Sequence, residues 1–243
     1  MKILIFTLEF PPQIGGAGVY CLELATGLKK LGHQVNLLTT SFNNKHEDFD
    51  VNFNITRIKT NKKIWFLQWT KRIESHLKNN SYDKIIIGNY HAALSFLRMK
   101  KLPKTPYFFT LHGDDVDYLF ERSKLREKLL LNDNNVNRFL DGVTKIICVS
   151  DYLKNQLTSK GFNEQKIKVI HHGIDLDFFK NIKEQQDYSE IRNNRWKSKG
   201  IDPTKKILLC ASRVVEGKGH DVLLKSFKKV VKEYQQYKVE LLD

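Results

Sequence analysis

Eight short apolar runs recur along this chain, at 3–6, 35–38, 85–87, 107–109, 146–149, 167–170, 207–210 and 239–242. Most are continuous rather than alternating in hydrophobicity. A strand with one wet face alternates, so a continuous run requires burial on both faces, as in a parallel sheet covered by helices. Segments of helical period separate the runs, at roughly 16–31, 64–79, 91–100, 117–131, 151–160 and 218–234. This alternation predicts an α/β fold, a Rossmann-like doubly wound parallel sheet. Such sheets bind ligands outside the carboxyl ends of their strands, which selects the residues to inspect.

The rhythm breaks over 173–206, a polar and charged stretch that suits an interdomain linker with a short helix. Residues 1–172 then form an amino-terminal Rossmann-like domain, and 207–243 the start of a second one. A strand, a helix and one more strand are too little for an independent core, so this second domain reads as incomplete.

Four constellations fall at strand ends. The first is F-P-P-Q-I-G-G-A-G-V-Y at 10–20, where Gly15 and Gly16 precede a helix with Tyr20, Leu24, Leu28 and Leu31 on its apolar stripe. Free N–H groups at a helix start favour an anion, and glycine admits close approach. The dinucleotide pattern G-x-G-x-x-G fails, because Cys21 stands where its last glycine belongs, so a nicotinamide cofactor is disfavoured. A sugar-nucleotide loop and a plain turn both remain open. The second is T-L-H-G-D-D at 110–115: His112 follows a strand, with Gly113, Asp114 and Asp115 behind it. Two adjacent aspartates suit a helix N-cap and first turn better than a metal. His112 fits proton chemistry and a structural role equally well.

The third is C-A-S-R-V-V-E-G-K-G-H-D at 210–221. Arg213 follows a run, and Lys218 lies between glycines at a helix start whose inner side carries Val222, Leu223, Phe227, Val230 and Tyr234. Guanidinium and ammonium groups beside a helix start suit a diphosphate, although solvated cations look the same in sequence. The fourth, G-N-Y-H-A-A at 88–93, offers Asn89 and His91 to the cleft, with a helix cap an equal role for Asn89. Separately, Trp65, Trp69, Ile73 and Leu77 repeat at four-residue spacing beside Lys62, Lys63, Lys71 and Arg72. This stripe suits a core better than a membrane surface.

Composition removes several classes. The 3 cysteines are far apart in apolar runs, which excludes a disulfide frame and fits a reducing compartment. No run of 18 apolar residues exists, and the first residues read as a strand rather than a leader peptide. The formal net charge of +14 would attract polyanions. No RNA-binding, zinc-finger or recognition-helix signature accompanies it, so nucleic acid is not expected as a partner.

The constellations, in this order, resemble the retaining GT-B glycosyltransferases of family 4 over nearly the whole chain. The glycine loop is followed by L-A-T-G-L-K-K-L-G-H-Q-V-N-L-L-T, as in the family. T-L-H-G-D-D looks like its acceptor-domain histidine segment. I-C-V-S-D-Y-L-K-N-Q-L and K-V-I-H-H-G-I-D-L-D-F-F are similar to the passage out of the first domain, and A-S-R-V-V-E-G-K-G-H-D to the donor-phosphate motif. The resemblance implies a cytoplasmic enzyme, peripheral at most to an anionic membrane face. It would transfer a sugar from a nucleotide-diphosphate donor to a glycan or lipid-linked acceptor without metal or cofactor. Gly15 and Gly16 would face the donor across the cleft, and His112, with Gly113, Asp114, Asn89 and His91 about it, would face the transferred sugar and acceptor. Arg213 and Lys218 would hold the diphosphate. Two departures stand out. His172 occupies a position where asparagine is common, with little consequence expected. The family's further donor-domain strands and its pair of spaced glutamates are not in the chain, which leaves a non-catalytic acceptor-domain binding module as the alternative.

Overall fold

A computed structural model describes residues 1–13, 15–41, 51–60, 65–113, 115–120, 133–177, 188–200, 202 and 208–233. For residues 65, 66, 120, 133, 188, 189, 191 and 192 it describes the backbone alone. The chain divides into two compact units, Met1–Ile174 and Asp175–Asp243.

The first unit is one seven-stranded sheet, all parallel, in the order β3-β2-β1-β4-β5-β6-β7. Its strands are β1 (Lys2–Phe6), β2 (Gln34–Ser41), β3 (Asn54–Lys59), β4 (Lys84–Ile87), β5 (Tyr107–Leu111), β6 (Lys145–Cys148) and β7 (Ile167–Val169). Helices α1 (Gly16–Lys30), α2 (Trp65–Asn79), α3 (Tyr90–Leu97), α4 (Asp115–Phe120), α5 (Asp133–Gly142) and α6 (Asp151–Ser159) connect them. The order reverses at β1, whose neighbours are β2 and β4. A doubly wound sheet opens its ligand crevice at such a reversal, where the connections leave in opposite directions.

The central strand shows why the runs are continuous. Leu4 and Phe6 pack into one core layer, with Trp69, Ile73, Phe96, Phe109 and Phe139. Ile3 and Ile5 pack into the other, with Phe10, Cys21, Ala25, Val35 and Leu37. Aromatic rings tie the first layer together: Phe96 meets Phe6 at 6.0 Å, Tyr107 at 6.0 Å and Phe139 at 6.4 Å between centroids.

Several expectations need correction. Strand β3 was not foreseen, because N-I-T-R-I-K is an edge strand paired only with β2, and its residues mix polar and apolar types. Helix α5 is likewise unforeseen. Of the helix expected over 117–131, the structure describes α4 alone, since 121–132 lie outside the described residues. The α2 stripe belongs to the core rather than to a membrane face: Trp69 and Ile73 are buried and Leu77 packs on the first layer. On α1 the buried line is Gly18, Cys21 and Ala25, while Leu31 is 74% exposed. Of the expected stripe, Tyr20, Leu24 and Leu28 are half-buried and pack on the second core layer beside these small residues, so Leu31 alone departs from it.

The second unit holds α7 (Tyr188–Ser198), a 3₁₀ turn Glu216–Lys218 and α8 (His220–Glu233). Residues 208–210 carry no strand, against the expectation for 207–210, and Leu209 is 81% exposed. A parallel strand exists only through its ladder neighbours, and no neighbour lies among the described residues. Residues 207 and 239–242 lie outside them. No residue of α8 is fully buried: of the inner side expected, Leu223 and Phe227 are half-buried, while Val222 and Val230 are exposed. Tyr234 lies outside the described residues.

Candidate active site

Three connections leave the carboxyl ends of the strands around the β1–β4 reversal, where a doubly wound sheet opens its crevice. After β1, Thr7 braces the loop, its hydroxyl donating to the Glu9 carbonyl at 2.9 Å and accepting from the Glu9 amide at 3.3 Å. The unforeseen β3 contributes Arg57, which donates to the Pro11 carbonyl and lies 5.6 Å from the Phe10 ring. The loop then enters α1 at Gly15, which caps the helix without a side-chain hydrogen bond, and no acidic residue occupies the first turn. Such a helix start leaves N–H groups without intrahelical partners, which favours a negative charge there.

The glycines differ in what they do. A Cβ on Gly16 would meet nothing within 4 Å, so Gly16 keeps the helix start open. One on Gly15 would fall 1.0 Å from Glu9 Oε1, which places the Glu9 carboxylate against the start of α1. One on Gly18 would lie 2.9 Å from the Glu9 carbonyl oxygen and 3.0 Å from Phe10 Cα, both backbone atoms. Gly18 is thus the glycine that lets α1 dock on its own entry loop, and sequence reasoning passed over it. Alanine at Gly18 is expected to destabilise by about 1–3 kcal/mol through overpacking. Alanine at Gly27, in the same helix with nothing within 4 Å of its Cβ, should instead stabilise by about 0.5–1 kcal/mol. Urea midpoints of the two variants check the opposite signs.

After β4 comes Gly88, whose amide donates to the Phe6 carbonyl at 2.8 Å and whose Cα faces Cys21. Asn89 caps α3, its Oδ1 accepting from the Ala92 amide at 2.9 Å, so the capping role is real. Its Nδ2 is buried with no hydrogen-bond partner among the described residues. His91, in the first turn of α3, reaches solvent and meets Tyr90 edge-on. Loss of solvation lowers its pKa, and the Asp115 and Glu9 carboxylates partly offset this.

After β5 comes His112. Its Nε2 lies 2.7 Å from the Gly88 carbonyl, an acceptor, so Nε2 carries the proton. Its Nδ1 lies 3.2 Å from His172 Nε2. Tyr20 approaches both imidazoles at 4.9 Å, edge-on to His112 and stacked on His172. The Asp115 carboxylate accepts from the amides of His112 and Gly113, so it shapes this turn. Asp114 lies outside the described residues. Among the described residues no cluster of His, Cys, Asp or Glu suits a metal ion.

The first unit thus places Gly15, Gly16, Asn89, His91, His112 and Gly113 in the connections that follow β1, β4 and β5, at the carboxyl edge of the sheet. To these it adds Gly18, Gly88, Tyr20 and His172. His172 was read in sequence only as a departure from asparagine with little consequence expected, whereas the parallel placement of β5 and β7 in one sheet brings it to His112, 60 residues away. In the second unit, Arg213 and Lys218 are exposed. His220, the first residue of α8, ties down their loop: its Nε2 lies 3.0 Å from the Arg213 carbonyl and 3.0 Å from the Ser212 hydroxyl. Gly219 turns the chain into α8 with a left-handed φ of 68°.

The thiols separate by environment. Burial pushes Cys21 up to about 12 and Cys148 up to about 11, whereas Cys210 is exposed. Thiolate is the reactive form. Iodoacetamide is therefore expected to modify Cys210 alone in the native protein, which mass spectrometry of the peptides checks.

Residues 14–178 match the family described as Glycosyltransferase Family 4. An uncharacterized glycosyltransferase of Methanocaldococcus jannaschii is 25% identical, with 96% of this chain and 61% of the relative covered. The alpha-monoglucosyldiacylglycerol synthase of Streptococcus pneumoniae is 28% identical, with 98% of this chain and 55% of the relative covered. The chain therefore spans little more than half the length of these curated relatives. Among solved structures, Anabaena Alr3699/HepE in complex with UDP-glucose superposes with a TM-score of 0.66 at 17% identity, covering 94% of this chain and 57% of that one. That likeness places the fold among GT-B glycosyltransferase structures. No helix among the described residues is long and apolar enough to cross a membrane.

Proposed function

The chain belongs to Glycosyltransferase Family 4, and from that premise we propose that it carries the acceptor-side domain, and the beginning of the donor side, of a sugar transferase. The donor is a nucleotide-diphosphate sugar, and the acceptor a glycan or a lipid-linked acceptor. The observation that carries this reading is the crevice at the β1–β4 reversal. There a helix start with no side-chain cap, open at Gly16 and with the Glu9 carboxylate beside Gly15, lies in the same unit as an imidazole held by Gly88. UDP-glucose in the Anabaena structure makes uridine the first base to try, and the diacylglycerol named for the Streptococcus relative favours a lipid-linked acceptor.

In the proposed mechanism the start of α1 and its glycines meet the donor, and His112 lies beside the transferred sugar and the acceptor hydroxyl. Arg213 and Lys218 bind the diphosphate and stabilise the charge on the departing nucleotide. These cations do the work a metal would do elsewhere, and the anomeric configuration is retained. The protein works in the cytoplasm, and its net charge of +14 favours an anionic membrane face.

Titrating the protein with UDP-glucose, UDP-galactose, GDP-mannose and single-stranded DNA tests the reading. Saturable binding of one sugar nucleotide is expected, with its slow hydrolysis in the absence of acceptor. Binding of DNA that falls steeply with salt, with no sugar nucleotide bound, would sink it in favour of charge-driven polyanion binding. The span of little more than half the relatives' length keeps a second reading in play, a binding module without turnover. Acceptor binding with no hydrolysis of any donor would favour that module.

A further inference from the structure

We propose that His172 is a positioning residue for His112: seated on Tyr20, it fixes the Nδ1 side of the His112 ring while the Gly88 carbonyl fixes the other. Its standing as a device for sugar transfer rests on the functional reading above, but the pair itself does not. Two hydrogen bonds decide how the protons are arranged. His112 Nε2 must donate, because the Gly88 carbonyl 2.7 Å away only accepts. In its neutral form His112 then has a lone pair on Nδ1, and His172 Nε2 at 3.2 Å must be the donor to it. Tyr20 closes the arrangement, with the His172 ring stacked on it at an interplanar angle of 27°. The asparagine common at this position offers an amide donor but no ring to stack. The combination of His112, His172 and Tyr20 is a property of this chain's own residues.

One consequence follows. Both nitrogens of His112 are engaged, so a substrate hydroxyl that reaches Nδ1 must displace His172.

The pair is sensitive to acid. If His172 alone gains a proton, its Nε2 still donates to Nδ1; if both rings are protonated, two N–H groups face each other and the bond is lost. Loss of solvation, and then the neighbouring His112, lower the pKa of His172. With the folded value depressed, this group's contribution to stability is present above the ordinary histidine value and is lost as pH falls through the folded value. Tyr20 on α1 packs on both rings, and the Asp115 carboxylate on α4 accepts from the His112 amide. Beside the pair, His171 lies 4.0 Å from Asp151 of α6.

Long-range nitrogen–proton NMR of the imidazoles tests the proposal without any substrate. His172→Phe keeps a ring on Tyr20 and removes the donor, and His172→Asn restores a donor without the ring. At a pH above the ordinary histidine value, the His112 Nδ1 resonance is expected to move downfield in His172→Phe, towards the position of an unbonded nitrogen. It should return part of the way in His172→Asn. In His112→Ala, the titration midpoint of His172 should rise. An Nδ1 resonance identical in the native protein and His172→Phe would overturn the proposal, as would a His172 midpoint that does not move in His112→Ala. Failure of these measurements is distinct from failure of the functional reading, which rests on binding of sugar nucleotides. Where hydrolysis is measurable, His172→Phe should lower kcat and leave KM unchanged, with the acid limb of the pH profile displaced.

Discussion

Replacing Phe96 with alanine is expected to lower the free energy of unfolding by about 3–5 kcal/mol. The Phe96 ring is fully buried in the larger core layer. It meets Phe6 of the central strand, Tyr107 of β5 and Phe139 of α5, so its loss opens a cavity at the point where three elements converge. None of the three can fill the gap by a rotamer change alone. Tyr107 is fixed by its hydroxyl, which donates to the Phe139 carbonyl at 2.8 Å. Phe6 is paired on its other side with Trp69 at 5.2 Å. Each remaining ring also loses an aromatic partner, a further ~0.5–1.5 kcal/mol per pair in favourable geometry. The urea midpoint, compared at constant m-value, reads the change. Val222→Ala, at a side chain 60% exposed on α8, is the control and should stay within about 0.5 kcal/mol. A Phe96→Ala loss below the range for a buried ring would mean that the layer relaxes around it.

Replacing Arg213 or Lys218 with alanine is expected to weaken sugar-nucleotide binding by roughly tenfold to a hundredfold each. That corresponds to the ~1.5–3 kcal/mol of a charge-assisted hydrogen bond. Both side chains are exposed, so their removal should leave the fold intact. Arg213→Lys keeps the charge but loses the planar fork, and should recover only part of the affinity. His220→Ala should weaken binding less than either, because His220 contacts the loop rather than the phosphate in this reading. Titration calorimetry with the sugar nucleotide that binds best decides the matter. Affinity unchanged in both alanine variants would remove Arg213 and Lys218 from the site.

The strands of the first unit were legible wherever both faces are buried, because burial on both sides leaves a continuous apolar run that no amphipathic helix imitates. The edge strand β3 escaped that criterion: its backbone pairs on one side only, and N-I-T-R-I-K mixes polar and apolar residues. Its omission hid Arg57, which holds the Pro11 carbonyl and with it the entry to the glycine loop. Gly15 and Gly16 were noticed for their place at a helix start. Gly18 was passed over, since close approach of two backbones leaves no trace in local pattern. His172 shows the same limit at longer range. Its neighbour in sequence, Gly173, drew it into a comparison with asparagine, while its neighbours in space are His112 and Tyr20.

The order of apolar runs and helical segments thus determined by itself that this chain builds a parallel, doubly wound sheet, and so which strand ends to inspect for a site. Local hydrophobic period and the need to bury two faces are properties of neighbouring residues, and they survive in a linear reading. Tertiary structure alone decided which strand ends meet at the reversal beside β1, which glycine carries the backbone contact, and that two histidines 60 residues apart share a hydrogen bond. Those outcomes depend on distances between segments that only the folded sheet sets, so no pattern along the chain encodes them one residue at a time.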